Sequence, residues 1–390
     1  MVELKKQIKS GQKIIAIYGL GNVGGPIAAA WLRKNATVIG VDISKDLLLN
    51  IKNNSSHKKE PYISETFTKG LRKQKFSLTT DGVKASMLST IKFVAVPVDI
   101  KQNKINLTAL ISATTAISKG LKKGHTVVIC PSLPPGTTEK LVKQILEKHS
   151  KLKVEKDFNL IYNPERIFEG RALQDIEENY PAIVSGYGPK SLKFADELLK
   201  IISKKGTLKM TSLANAEAEK LFEGVYRDVN IALANELSEY CEQIGVNYWD
   251  ARKGANSQPY CHLHYPGTGV GGLCIPVYPK FVIESSKKIG KHVKLIEYSR
   301  KINDQKPKKC VKDALSLFKN NVKGIKVAVL GLGFRGEVTD SRLSPTYTVV
   351  NELLKKQCNV IVHDPYIFED NILPRNVILT KNLSEAISEV

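Results

Sequence analysis

No two cysteines of this 390-residue sequence stand as a CxxC pair; the six, at 130, 241, 261, 274, 310 and 358, are scattered. That spacing argues against a zinc cage or a disulfide framework and for a reducing cytosol, so no metal is expected. Missing too is an apolar run long enough to span a bilayer, and the N-terminal MVELKKQIKSGQK lacks the apolar core of a signal peptide. A membrane partner is therefore not expected, and the expected location is cytoplasmic. Acidic residues are short: 38 against 59 lysines and arginines, a net charge of +21. A basic chain can bind nucleic acid, a membrane surface or small anions, or simply carry a lysine-rich solvated surface. The lysines fall as scattered pairs (Lys5-Lys6, Lys204-Lys205, Lys355-Lys356), with no basic helix or aromatic-interleaved patch. That speaks against nucleic acid and fits an anionic small molecule equally well. With 42% hydrophobic and 25% charged residues the chain is of the soluble globular class, and its length suggests two or three domains.

Residues 14–18 form a short apolar run that stops at Gly19-Leu20-Gly21-Asn22-Val23-Gly24. An alanine-rich apolar stretch follows, with Pro26 where a first helical turn tolerates it. A second strand at 37–41 ends on Asp42. Strand, GxGxxG, helix, strand and an acid roughly 20 residues on make a dinucleotide fingerprint. The glycines permit a tight turn and close approach of a pyrophosphate, which sits on the helix N-terminus. A carboxylate at Asp42 would bind both ribose hydroxyls and repel a 2′-phosphate, which predicts NAD rather than NADP.

Strand signals then recur. Residues 93–96 end at Pro97, 126–130 run into Pro131-Ser132-Leu133-Pro134-Pro135-Gly136-Thr137-Thr138, 158–162 into Asn163-Pro164-Glu165-Arg166, and 182–185 into Gly186. Helical stretches lie between most of them, and such alternation predicts a parallel sheet with ligands beyond the carboxyl ends of its strands. Ser132, Glu165 and Arg166 sit at such ends. Alone, Ser132 reads as a turn residue; in NPER the strand end, acid and base together point to a site.

Residues 213–244 read as one long helix stopped by Gly245. Glu217, Lys220, Gly224 and Arg227 fall on one face at spacings of three and four. Leu221, Val225, Val229, Ala232, Leu233 and Leu237 occupy much of the remaining girth, which predicts a largely buried helix and a lysine that needs a reason to be there. Beyond it, residues 266–279 crowd Gly267, Gly269, Gly271 and Gly272 ahead of Cys274, then stiffen with Pro276 and Pro279. Two readings stand at this point: an accessible, oriented thiol, or a structural loop around a buried, inert cysteine. A basic helical stretch at 293–319 leads to a linker near 320–324. The opening grammar then returns: a strand at 325–330, Gly331-Leu332-Gly333-Phe334-Arg335-Gly336, a helix from Pro345 to Gln357, and a strand at 359–362 before His363-Asp364-Pro365. The segment 337–343 is long for a phosphate-binding turn and loaded with charge, so this half is expected to hold a different nucleotide-bearing ligand.

With these pieces placed, the chain resembles the nucleotide-sugar 6-dehydrogenases, the UDP-N-acetyl-D-mannosamine branch more than the UDP-glucose branch. The matching stretches are GLGNVGGPIA (19–28), SLPPGTT (132–138), NPER (163–166), AEAEKLFEGVYRDVNIALANE (216–236), PGTGVGGLCIP (266–276) and GLGFRGEVTDSRLSP (331–345), in family order over almost the whole chain. The resemblance implies an α/β protein, two Rossmann-like parallel-sheet domains joined by a central long-helix domain. The divisions are 1–205 for NAD, 206–320 for the central helix with catalytic lysine, cysteine loop and dimer contact, and 321–390 for UDP. It leads one to expect a further strand and helix beyond Val390. The implied reaction oxidises the C6 hydroxyl of a UDP-sugar to the acid in two hydride transfers to NAD, through a thiohemiacetal and a thioester on Cys274. UDP-glucose and UDP-N-acetylglucosamine are alternative substrates, and a homologue that binds without turning over is an alternative function.

By the same resemblance, Lys220 stabilises the developing oxyanion, Glu165 positions or activates water, and Ser132 stands where the family often has threonine. Gly19, Gly21, Asn22, Val23, Gly24, Asp42, Pro97 and Ser132 would touch NAD, with Arg342 reaching ligand across a homodimer. Arg166, Ile167, Lys220, Gly224, Arg227, Gln258, Tyr260, Gly271, Phe334 and Arg335 would touch the sugar nucleotide. Four positions depart from the family pattern: Gly224 stands for its asparagine, Tyr278 for its aspartate, Tyr260 for its arginine and Leu273 for the histidine common in the mannosamine branch. Losing an asparagine and an aspartate removes two polar groups from around the reacting carbon, and one oxyanion donor alone can be worth about two to three orders of magnitude in rate.

Overall fold

A computed structural model describes residues 1–57, 60–101, 104–318 and 322–388. The expected linker at 320–324 begins outside these residues. The chain forms two compact units, Met1–Leu221 and Phe222–Val390.

The first unit is built on the strands β1 (Ile15–Tyr18), β2 (Val38–Val41), β3 (Phe76–Thr79), β4 (Ile91–Val94), β5 (Asp99–Lys101), β6 (Lys104–Asn106), β7 (Thr126–Ile129), β8 (Asn159–Tyr162), β9 (Ala182–Gly186) and β10 (Thr207–Lys209). Eight of them form one sheet in the order β10-β9-β8-β7-β4-β1-β2-β3, while β5 and β6 make a separate hairpin. The central strands are buried along their whole length, which is why they are mostly apolar, with Lys92, Thr126 and Asn159 as buried polar exceptions. Alternate side chains serve opposite faces: Ile15 and Ile17 enter one core with Trp31 and Phe93, Ala16 and Tyr18 the other with Leu110 and Phe158. The edge strands β3 and β10, to which sequence reading assigned nothing, are half exposed and carry polar residues, as edges do.

One expectation is corrected. The sheet is not parallel throughout: β9 pairs antiparallel with β8, and β10 runs parallel to β9. Between Tyr162 and Ala182 lie only the short helical segments Ala172–Gln174 and Asp175–Asn179, with no long crossover helix of the kind that usually returns a chain to a parallel strand. Gly186 therefore ends its strand on the edge opposite Ser132 and Glu165.

The helix Leu213–Ile244 has the expected bounds. Its burial differs. Lys220, Leu221 and Ala232 are buried, but Leu233 is exposed, and Phe222, Tyr226, Tyr240 and Ile244 join it at spacings of four and seven along one face. Apolar content identifies the helix; it does not say which surface covers each side chain. The second unit carries a three-stranded parallel sheet, β11 (Lys326–Leu330), β12 (Asn359–His363) and β13 (Ile378–Thr380). Leu332, Val350, Leu353, Val360, Val362 and Ile367 form its core together with Val311 of the helix Lys294–Ser316. Among the described residues no helix is long and apolar enough to cross a membrane.

Candidate active site

In the first unit, β1, β4, β7 and β8 are adjacent and parallel, so their carboxyl ends share one edge. The chain order reverses beside β1, which opens a crevice there. Gly19 takes φ 87°, and a Cβ on it would come within 2.7 Å of Ala95 O. A Cβ on Gly24, the first residue of the helix Gly24–Arg33, would come 1.8 Å from Gly19 O, so turn and helix start touch backbone to backbone. Nothing lies within 4 Å of the corresponding point at Gly21. That open turn on a helix N-terminus is the shape a pyrophosphate requires. Asp42, at the end of β2, accepts from Leu20 N at 2.8 Å and Ser44 N at 2.9 Å, which fixes its carboxylate beside the turn. His57, given no role from sequence, lies over the same turn with Nε2 3.3 Å from Gly21 O, and burial pushes its imidazole below the usual value. A lone histidine in a lysine-rich stretch carried no signal.

Pro97 is exposed past β4, and Ser132 is half buried past β7. Past β8, Glu165 accepts from Ile167 N at 2.9 Å, while Arg166 donates to Pro181 O at 2.5 Å and stacks on Tyr180, 4.8 Å from the ring centroid. The loop 132–138 is anchored by a residue whose structural role the sequence did not disclose. Glu217 is fully buried and accepts from Gly136 N at 2.5 Å, Thr138 N at 2.8 Å and Thr138 Oγ1 at 2.6 Å. Burial pushes its carboxyl up to about 7 despite these donors. Lys220, one turn further along the helix and 7% exposed, is thus held in a helical segment bolted to that loop.

Cys274, in the second unit, is the exposed one of the six cysteines, all within the described residues, and none of the six is in a disulfide. Its carbonyl accepts from Val277 N at 3.1 Å and Tyr278 N at 3.0 Å, at the head of the helix Tyr278–Lys288. The glycines ahead of it have a packing reason. A Cβ on Gly271 would come 2.8 Å from Phe334 Cβ and 2.9 Å from Leu343 O, and one on Gly269, whose φ is 148°, 2.9 Å from Pro307. Gly272 N donates to Arg342 O at 3.1 Å. The cysteine loop therefore lies backbone-close against Arg342 and Leu343, with the Phe334 side chain of the second glycine turn packed on it. Its entry is pinned by a buried relay: Gly267 N donates to Asn235 Oδ1 (2.9 Å), Asn235 to Asn303 (3.2 Å), and Asn303 to Asp228 (2.9 Å), which also pairs with Arg300. Burial raises the Asp228 carboxyl to about 6, with Arg300 opposing. The RDVN and ANE segments contain two of these residues, but nothing in sequence joined them to a loop 32 residues beyond Asn235.

The second turn borders a cavity of about 660 Å³, lined among others by Thr268, Gly269, Phe334, Arg335, Pro345 and Tyr366. Asp364 closes its floor, accepting from Leu332 N and Gly333 N through one oxygen and from Tyr366 N and Ile367 N through the other, at 2.8–3.0 Å. Burial raises this carboxyl, but the four donors more than offset it and hold it below its ordinary value. Arg342 is exposed and folds onto Asp340 at 2.5–3.0 Å. Arg227, Gln258 and Tyr260 are exposed, the last at 95%, and Gln258 Oε1 accepts from Tyr260 N at 2.8 Å.

Three domains of one family match in order along the chain. They are the NAD-binding domain of the UDP-glucose/GDP-mannose dehydrogenase family at residues 13–203, its central domain at 214–305 and its UDP-binding domain at 328–390. A UDP-N-acetyl-D-mannosamine dehydrogenase of Methanococcus vannielii is 33% identical, over 93% of this chain and 82% of the relative. The chain belongs to the UDP-glucose/GDP-mannose dehydrogenase family. It is a nucleotide-sugar dehydrogenase by kinship. It is also 32% identical to an NDP-N-acetyl-D-galactosaminuronic acid dehydrogenase of Ralstonia solanacearum, over 96% of this chain and 87% of the relative. A solved structure of a UDP-D-ManNAc dehydrogenase from Pyrococcus horikoshii superposes with a TM-score of 0.87 at 30% identity, covering 96% of this chain and 86% of that one.

Proposed function

We propose that this chain oxidises the C6 hydroxyl of UDP-N-acetyl-D-mannosamine to the corresponding uronic acid, in two two-electron steps, with Cys274 carrying the carbon between them. NAD, when bound, supplies the hydride acceptor; Gly19, Gly21 and Gly24 leave room for its pyrophosphate, and Asp42 is placed to hold a ribose and to disfavour a 2′-phosphate. The observation that carries the reading is Cys274 itself, an exposed thiol on a loop whose glycines and carbonyl bonds hold it in one orientation. The Cys130 and Cys358 thiols, by contrast, are buried, and burial pushes them up and makes them inert.

The balance is as follows. Oxidation of the alcohol leaves an aldehyde, and the Cys274 sulfur bonds to its carbon while the oxygen takes the proton, giving a thiohemiacetal. Loss of a second hydride equivalent and that proton leaves a thioester. Water then adds to the carbonyl, the C–S bond breaks, and the thiol is restored. Lys220 donates to the oxygen that gains charge, and Glu165 holds and deprotonates the water. Phe334, Arg335 and the cavity beside them take the nucleotide. The three-part division at 205 and 320 goes with this reading. So does a homodimer through the apolar face of the long helix that carries Phe222, Tyr226, Leu233 and Tyr240.

Purified protein with NAD and a panel of UDP-sugars tests it by counting NADH formed per sugar consumed. The expected result is two, with the N-acetylmannosamine compound preferred. One per sugar would mean a single-step dehydrogenase, and none, with NADH and UDP still bound, a binding protein. Cys274→Ala is expected to abolish acid formation while leaving NADH binding unchanged in a fluorescence titration; full acid production would remove the covalent step.

A further inference from the structure

Gly224 and Tyr278, separated by more than fifty positions in sequence, are one feature in the fold. Tyr278 is the first residue of the helix Tyr278–Lys288 and is 6% exposed. A Cβ placed on Gly224 would come 2.4 Å from Tyr278 Cδ2 and 3.1 Å from its Cβ and Cγ. Contacts that short are never tolerated, and the ring cannot swing freely aside. It is enclosed beside Phe281, with ring centroids 6.5 Å apart, and its own Cβ is already close. Gly224 lies within a regular helix, so backbone freedom does not explain it; the ring occupying its side-chain space does. The other end of the same residue grips the nucleophile's main chain, since Tyr278 N and Val277 N both donate to Cys274 O.

We propose that Gly224 and Tyr278 are a matched pair and that Tyr278 is a positioning residue for Cys274. Its ring, seated in the notch that Gly224 leaves in the long helix, fixes the first turn of the following helix, and that turn fixes the Cys274 backbone. The departures from the family pattern at these two positions are then one exchange: a side chain at 224 and a tyrosine at 278 exclude each other. The inference rests on the reading of Cys274 as the nucleophile, but its geometry is independent of which sugar is oxidised.

The test uses the full chain and four variants: Tyr278→Phe, Tyr278→Leu, Gly224→Asn, and Gly224→Asn combined with Tyr278→Ala. Two readouts are taken, the rate of Cys274 carboxymethylation by iodoacetate, followed by mass spectrometry of the Cys274 peptide, and the ratio of second-step to first-step NADH formation. Tyr278→Phe keeps the ring and is expected to change both readouts less than Tyr278→Leu does. Tyr278→Leu and Gly224→Asn are each expected to change the alkylation rate and slow the second step by about tenfold or more, because misplacement on the order of an ångström is enough. The double variant is expected to recover part of what Gly224→Asn loses. Folded Tyr278→Leu with unchanged alkylation and step ratio would overturn the proposal, as would a double variant no better than Gly224→Asn alone. If Tyr278→Leu does not fold, the comparison of Gly224→Asn with the double variant decides alone. A parent chain that forms no acid, but whose Cys274 alkylation follows this pattern, overturns the catalytic reading and supports the positioning one.

Discussion

The chain writes GxGxxG twice, and the two copies are built differently. In the first, the third glycine is the helix start, and a Cβ there would sit 1.8 Å from the carbonyl of the first. In the second, nothing lies within 4 Å of the same point on Gly336, and the helix begins only at Thr346, tied back by its hydroxyl to Gly331 O at 2.8 Å. The first glycines agree, at φ 87° and 102°, because both must reverse the chain off a strand. The acids differ as well. Asp42 takes two backbone donors and stays half exposed. Asp364 is buried and accepts from four backbone amides, two of them, Leu332 N and Gly333 N, in the glycine turn itself. The same string is a tight turn closed onto a helix start in one unit and a turn separated from its helix beside a cavity in the other.

The sharpest way to break this comparison is to add one carbon at the third glycine of each copy. Gly24→Ala is expected to weaken NADH binding by on the order of a hundredfold, read by titration, because backbone must move to admit the methyl. Next in size, Asp364→Ala leaves four amides without their acceptor and is expected to cost about 2 kcal/mol or more in urea unfolding of the second unit. Its effect should vanish in strong acid. The folded carboxyl lies below its ordinary value, so its contribution is present above the usual carboxylate range and is lost as pH falls through the folded value.

The first unit carries a pH sensitivity of the same sign, in a higher pH window, in Lys92, fully buried in β4 beside His125 (2.6 Å). Burial, with Lys122 nearby, pushes this lysine down to about 6, and burial likewise pushes His125 down to about 3. A lysine depressed in the fold contributes stability above its unfolded value that is lost as pH falls towards 6. Lys92→Met is expected to flatten that slope and to stabilise the first unit by about 1 kcal/mol, measured by thermal unfolding from pH 6 to 9. Gly336→Ala closes the series with a change within about 0.5 kcal/mol and unaltered UDP binding. A large effect there would mean that the second copy is built like the first.

Much of the first unit was legible because its signals are local. A strand buried on both faces is mostly apolar, so IAIY and TVVI announce themselves, and the turn after β1 needs glycines whatever surrounds it, whereas β4 was read at 93–96 because the buried Lys92 breaks its apolar run. The reversal at β9 was not legible, since strand direction depends on how far the chain travels between Tyr162 and Ala182. Nor were the supports of the site. Glu217 read as one member of a polar stripe until its three donors at Gly136 and Thr138 appeared, some 80 residues away in sequence. Leu233 carried the apolar signature of a core position and is exposed.

Sequence alone determined where most of the buried strands of the first sheet lie, where the long helix begins and ends, and which cysteine sits among glycines between prolines. These are short-range consequences of side-chain shape and backbone freedom. Tertiary structure decided why those glycines are there and what stands behind the site. Gly271 must clear Phe334, Gly224 must clear Tyr278, and Asn235 must reach Gly267. Each of these is an exclusion or a hydrogen bond between segments far apart along the chain, and no local pattern encodes which distant neighbour will come to fill a given space.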